Sequence, residues 1–210
     1  MVATFLAYVL AIGSFVLLLA YRQFIYAFYC RYPRDRHFYA VKSFRQSSSY
    51  WCLGFWWLLY SVLAVWSYRW EQEIPYALPL LLVMLNSFAF ISSLDVKLHL
   101  IPLRFIFGLW GIFLYEGWGR FDAVEQLFML GILCLLYGVT RRGIGLGDIY
   151  LLAAFSFLFP MFQWLWLILL AALLGVCYGL MLRLLRISSS DTLAFAPWIC
   201  LSAWLILWLA

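Results

Sequence analysis

The chain predicts an all-α, polytopic membrane protein of about eight transmembrane helices with both termini periplasmic, and three observations carry that prediction. First, 68% of its 210 residues are hydrophobic and only 11% are charged, at a mean hydropathy of +0.98. No soluble domain of this size can hide so much apolar surface. Second, the apolar residues fall into long runs separated by short charged segments. Third, those segments alternate between basic and acidic, as the positive-inside rule requires. The net charge of +5 therefore reads as topology and not as nucleic-acid binding. The 12 Trp and 14 Tyr suit membrane interfaces.

Taken in order, the runs place spans at about 2–21, 51–68, 75–93, 101–118, 122–140, 148–161, 163–182 and 192–209. The first lacks the basic start and cleavage site of a secretory signal, so it reads as a retained span. The segment after it is basic: Arg22, Arg31, Arg34, Arg36, Lys42 and Arg45 stand against the single acid Asp35. Stretch 23–50 is too short to bury a core of its own. It fits the inner membrane surface, where its cations meet anionic headgroups. The next segments hold Arg69 with Glu71 and Glu73, then Asp95, Lys97, His99 and Arg104, then Glu116, Arg120, Asp122 and Glu125. Arg141 and Arg142 follow, and finally Arg183 and Arg186 with Asp191.

From Ile149 to Leu182 there is no charge. As one helix that run would be about 51 Å long at the standard rise, against a hydrocarbon core of about 30 Å. Basic pairs flank it on both sides. Two short crossings with a turn near Phe159-Pro160 satisfy both facts, because Pro160 removes a backbone donor where the turn is needed. Ala171, Gly175 and Gly179 recur every fourth residue in the second crossing. Such a row lets helices approach closely. Internal helix packing is the favoured reading, and the seam of a homodimer is the alternative. The cysteines Cys30, Cys52, Cys134, Cys177 and Cys200 form no C-x-x-C clip, and the last three read as small buried hydrophobes.

Two acids stand out. Asp95 closes the apolar stretch Leu80–Leu94, and Asp148 opens the sixth span after Arg141-Arg142-Gly143-Ile144-Gly145-Leu146-Gly147. Acids so placed are costly unless they face protein or water, which makes them functional candidates. Both fall at the cytoplasmic face, at similar depth. Two carboxylates that share a proton can divide the work of peptide hydrolysis: one draws a proton from water, the other polarises the carbonyl. Gly143, Gly145 and Gly147 can adopt dihedrals closed to other residues and admit a close backbone. That would let the loop carry Asp148 towards Asp95. The plainer alternatives are a helix cap for Asp148 and an ion pair with Lys97 or Arg104 for Asp95. The Gly-x-Gly-x-Gly pattern lacks the following Lys-Ser/Thr and preceding strand of a phosphate loop.

At these residues the chain resembles the type IV prepilin peptidases, the membrane aspartic proteases with a Gly-x-Gly-Asp motif. Gly145-Leu146-Gly147-Asp148, with Leu151 and Leu152, is similar to that family's second catalytic motif. Asp95 followed by Ile101-Pro102 is similar to its first. Phe195-Ala196-Pro197 resembles the Phe-Gly-Pro of the last span, and Gly13-Ser14-Phe15 with Tyr21-Arg22 the N-terminal motif. The resemblance covers most of the length. It implies removal of the basic leader from prepilins or pseudopilins of type IV pilus and type II secretion systems, after a Gly, at the bacterial inner membrane. Asp95 and Asp148 would be catalytic, Pro102 and the glycines would shape the substrate loop, and neither metal nor cofactor is implied.

The departures are specific. The family's methyltransferase segment, with paired C-x-x-C motifs and S-adenosylmethionine as donor, corresponds to stretch 23–50, which holds one cysteine. Residues 1–50 would be its remnant and 51–210 the peptidase domain. Leu17 replaces a usual Asn, Phe24 stands near a usual Pro, Leu103 replaces Asp or Asn, and Tyr150 replaces Lys. The expectation is a short variant that keeps the peptidase chemistry and has lost or weakened methylation. An inactive assembly protein on the same fold is the alternative. A transporter would show repeat symmetry, and none is visible.

Overall fold

The computed structural model describes residues 47–70, 78–99, 101, 103–120, 122–140, 144–185 and 194–209. Among these the chain is all-helical. The elements are α1 (Ser47–Trp70), α2 (Leu78–Leu98), α3 (Leu103–Gly117), a 3-10 turn (Trp118–Arg120), α4 (Ala123–Val139), α5 (Leu146–Ser156), α6 (Met161–Leu184) and α7 (Ala196–Leu209). They follow the second to eighth expected apolar spans in order. The first span, the basic segment 23–46, Pro102 and Gly143 lie outside the described residues. Over residues with described side chains, one helix, α6, is long and apolar enough to cross a membrane by length and composition. Only 17% of its apolar window is buried, unlike the core helix of a soluble protein.

The chain divides into two units, Met1–His99 and Leu100–Ala210. In the first, α1 packs on α2. Tyr60 of α1 is fully buried, lies edge-on to Phe88 at 6.0 Å and stacks on Trp56 at 5.8 Å. Its hydroxyl meets Ser92 Oγ of α2 at 2.9 Å, which settles two buried polar groups at once.

In the second unit the short helix α5 touches α3, α4, α6 and α7. Every residue of it from Leu151 to Ser156 is buried. Phe155 stacks on Phe113 of α3 at 5.5 Å. The expected turn is present, but α5 stops at Ser156, five residues before the span read from sequence. The reason lies in the backbone. In a continuing helix the N–H of residue 160 would bond the Ser156 carbonyl; Pro160 has none. Gln126 of α4 takes over, donating from Nε2 to that carbonyl, while Ser156 Oγ donates to Gln126 Oε1 at 2.9 Å. On the other side of the break, Pro160 caps α6, and the first helical N–H, at Met161, donates to Glu125 Oε1. Two adjacent residues of α4 thus hold both loose ends of the break. Glu125 read as a loop charge in the sequence; it lies in the first turn of α4, behind the Asp122 cap, whose Oδ1 accepts the Val124 N–H at 2.9 Å.

Glycine lets α3 reach this break. A Cβ on buried Gly117 would overlap the Phe157 carbonyl. Two of the three small residues of the α6 row pack internally: Ala171 is fully buried, and a Cβ on Gly175 would lie 3.2 Å from the Phe195 ring at the start of α7. The cysteine expectation holds for Cys200, which is buried. It fails for Cys134 and Cys177, which are exposed on α4 and α6, because both helices turn an apolar face outward.

Candidate functional site

Asp95 stands in the last turn of α2, at the end of a stretch, 87–95, that is buried throughout. The residue itself is 6% exposed. The helix closes just beyond it. His99 adopts φ 50, and its N–H donates to the Asp95 carbonyl at 2.9 Å. This is a left-handed C-cap, usually a glycine position, and His is among the side chains enriched in that region. The polar residues leading to the acid are satisfied locally: Ser92 by Tyr60 and Ser93 by the Phe90 carbonyl at 2.8 Å. The side chains of Lys97 and Arg104, named above as ion-pair partners, lie outside the described residues.

Asp148 stands in the first turn of α5. The capping position is Gly145, extended at φ −62 and ψ 140, whose carbonyl accepts from the N–H of Asp148 at 3.1 Å and of Ile149 at 3.2 Å. The carboxylate folds back over that glycine: a Cβ on Gly145 would lie 3.1 Å from Asp148 Oδ2. A Cβ on Gly147 would lie 3.2 Å from Ile101 Cβ. No described glycine has a positive φ. Gly145 and Gly147 are thus closely approached, one by the Asp148 carboxylate and one by Ile101, as the expected close packing allows, and neither adopts the unusual dihedrals that were the other expectation.

The two acids occupy opposite kinds of helix terminus. Asp148 is at the end whose exposed N–H groups favour an anion, Asp95 at the end whose carbonyls do not. Asp95 belongs to the first unit and Asp148 to the second. Within the second unit the Phe195-Ala196-Pro197 motif opens α7. The Phe195 carbonyl accepts from Trp198 at 3.0 Å, and Pro197 falls in the first turn, where its missing N–H is harmless.

Tyr150, the residue in place of a usual Lys, faces away from Asp148. Two residues on a helix are about 200° apart. Its ring packs near Phe107 and Trp110 of α3, each at 6.4 Å. The neighbourhood of α5 also contains residues that the sequence did not single out. Trp110 Nε1 donates to the Tyr150 carbonyl at 3.0 Å. Trp164 Nε1 of α6 donates to the Leu152 carbonyl at 2.9 Å. The available signal was chemical: an indole N–H or an amide such as Gln126 inside an apolar run must find an acceptor. Which acceptor is a matter of tertiary contact.

Comparison with known proteins found no match, whether among family models, curated proteins or solved structures.

Proposed function

We propose that the chain is a polytopic membrane aspartic peptidase of the prepilin peptidase type, with both termini periplasmic, acting at the cytoplasmic face of a bacterial inner membrane. The observation that carries the reading is the order of four motifs in one sequence: Gly13-Ser14-Phe15, Asp95 with Ile101-Pro102, Gly145-Leu146-Gly147-Asp148 and Phe195-Ala196-Pro197. In this reading Asp95 and Asp148 form the dyad. One takes a proton from the attacking water while the other polarises the scissile carbonyl, and the substrate is the basic leader of a prepilin or pseudopilin. The outward faces of α4 and α6 support the membrane part. Leu127, Phe128, Leu135, Leu169, Leu173 and Val176 are all exposed, and lipid is the solvent that suits them.

The test is cleavage of a prepilin by purified wild type beside Asp148→Asn and Asp95→Asn. Either amide keeps the shape but cannot shuttle the proton, so each should abolish leader removal while the protein still inserts. Normal processing by either variant refutes the dyad. Reporter fusions after Glu73, Arg120 and Ala210 should all report the periplasmic side. Label transfer from S-adenosylmethionine to processed pilin should fall well below that of a family member with the C-x-x-C segment.

The second reading, an inactive assembly protein, rests on Leu17, Leu103 and Tyr150. It predicts no cleavage by the wild type and pilin that still co-purifies.

A further inference from the structure

Three helices each direct one side-chain donor at a backbone carbonyl of α5. Trp110 from α3 donates to Tyr150 O, Trp164 from α6 to Leu152 O, and Gln126 from α4 to Ser156 O. Only the last of these carbonyls is orphaned by the helix end. The first two also lie within the helical ladder, and a carbonyl has a second lone pair to offer. A helix of 11 residues is marginal by itself, and one anchored from three sides cannot slide or rotate without breaking hydrogen bonds in apolar surroundings. Trp110 is the anchor nearest the acid. Its N–H holds the carbonyl two residues after Asp148, and its ring lies 6.4 Å from Tyr150 and 5.7 Å from Phe157. One side chain therefore brackets α5 near both ends.

We propose that Trp110 is a positioning residue for the Asp148 carboxylate: its indole N–H fixes the axial register of α5 and hence the placement of the acid. The inference rests on the peptidase reading. It makes Asp148 the fixed member of the pair, in place of a carboxylate swung on a glycine hinge. Misplacement of about 1 Å can lower a rate about a hundredfold.

The experiment uses the full-length protein in proteoliposomes. The substrate is a synthetic prepilin peptide with a basic leader, a Gly at the cut and an apolar helix. Trp110→Phe keeps most of the ring and removes the donor. We expect kcat to fall at least tenfold with KM within twofold of wild type and little change in melting temperature. Phe107→Leu disturbs the same aromatic cluster, 5.5 Å from Trp110, without touching the hydrogen bond, and should leave kcat within threefold. A second readout needs no catalysis. In a background with the native cysteines replaced, an Asp148→Cys thiol should be alkylated by a small maleimide at a rate that changes at least threefold when Trp110→Phe is added.

An unchanged kcat for Trp110→Phe, beside an inactive Asp148→Asn, overturns the positioning role and leaves the peptidase reading standing. Equal losses of kcat and melting temperature in Trp110→Phe and Phe107→Leu also overturn it, because packing alone then accounts for the effect. If Asp148→Asn cleaves normally the peptidase reading falls, and the alkylation rate alone decides whether Trp110 places residue 148.

Discussion

Helices α5 and α6 are consecutive, and no charged residue occurs from Ile149 to Leu182, yet they live in opposite surroundings. The first is 11 residues long, buried from Leu151 to Ser156 and gripped by donors from three neighbours. The second is 24 residues long and buries only a stripe, Trp164, Leu167, Ala171 and Gly175, while Leu165, Leu169, Leu173, Val176 and Leu180 face out. Apolar composition alone therefore does not say whether a helix is wall or core. What separates the two is length together with the supply of side-chain hydrogen-bond partners at their ends and along their backbones. A short helix can end deep inside the protein only if its last carbonyls are met there.

The contrast can be broken by mutation, and the largest effect should come from the side chain shared by both helices. Trp164→Ala removes a fully buried indole of α6 together with its bond to α5, and should destabilise the fold by about 3–5 kcal/mol. Titration from a mild into a denaturing detergent would read it. Gln126→Leu strands the Ser156 carbonyl at the break and should lower stability by about 1–3 kcal/mol. If it were neutral, the amide would not be what satisfies the last carbonyl of α5. Gly117→Ala sets a methyl against the Phe157 carbonyl and forces α3 away from the break. About 1–3 kcal/mol is expected, with a lower melting temperature as the readout. Leu173→Ala, on the exposed face of α6, should change stability by less than about 0.5 kcal/mol. A loss comparable to that of Trp164→Ala would mean that the face is a packed interface and not a lipid-facing wall.

Much of this is legible in the amino-acid sequence. The apolar runs gave the helices, because a run bounded by charge has few other ways to satisfy its backbone. Pro160 gave the break, because it lacks a donor. The acids Asp95 and Asp148 were legible as exceptions in an apolar chain. The roles of Glu125 and Gln126 were not, since an acid and an amide at a helix start read equally well as solvated polar residues. Nor was the use of Gly145 and Gly147: spacing shows that side chains are absent, not whether the backbone needs the angle or a neighbour needs the room. The absence of positive φ at the described glycines and the contacts with Asp148 Oδ2 and Ile101 decide for room.

By itself, then, the sequence determined what is local: helices from hydropathy, a turn from a proline, two acids from their isolation, and a motif order that suggests the chemistry. The tertiary structure decided which carbonyl each indole meets, which glycine faces which atom, and that the helix bearing Asp148 is short, central and anchored. Two of the three donors that anchor α5 reach it from residues 30 to 40 positions away: Gln126 to Ser156 and Trp110 to Tyr150. No local pattern records such pairs, because the energy that selects them arises only when the helices pack.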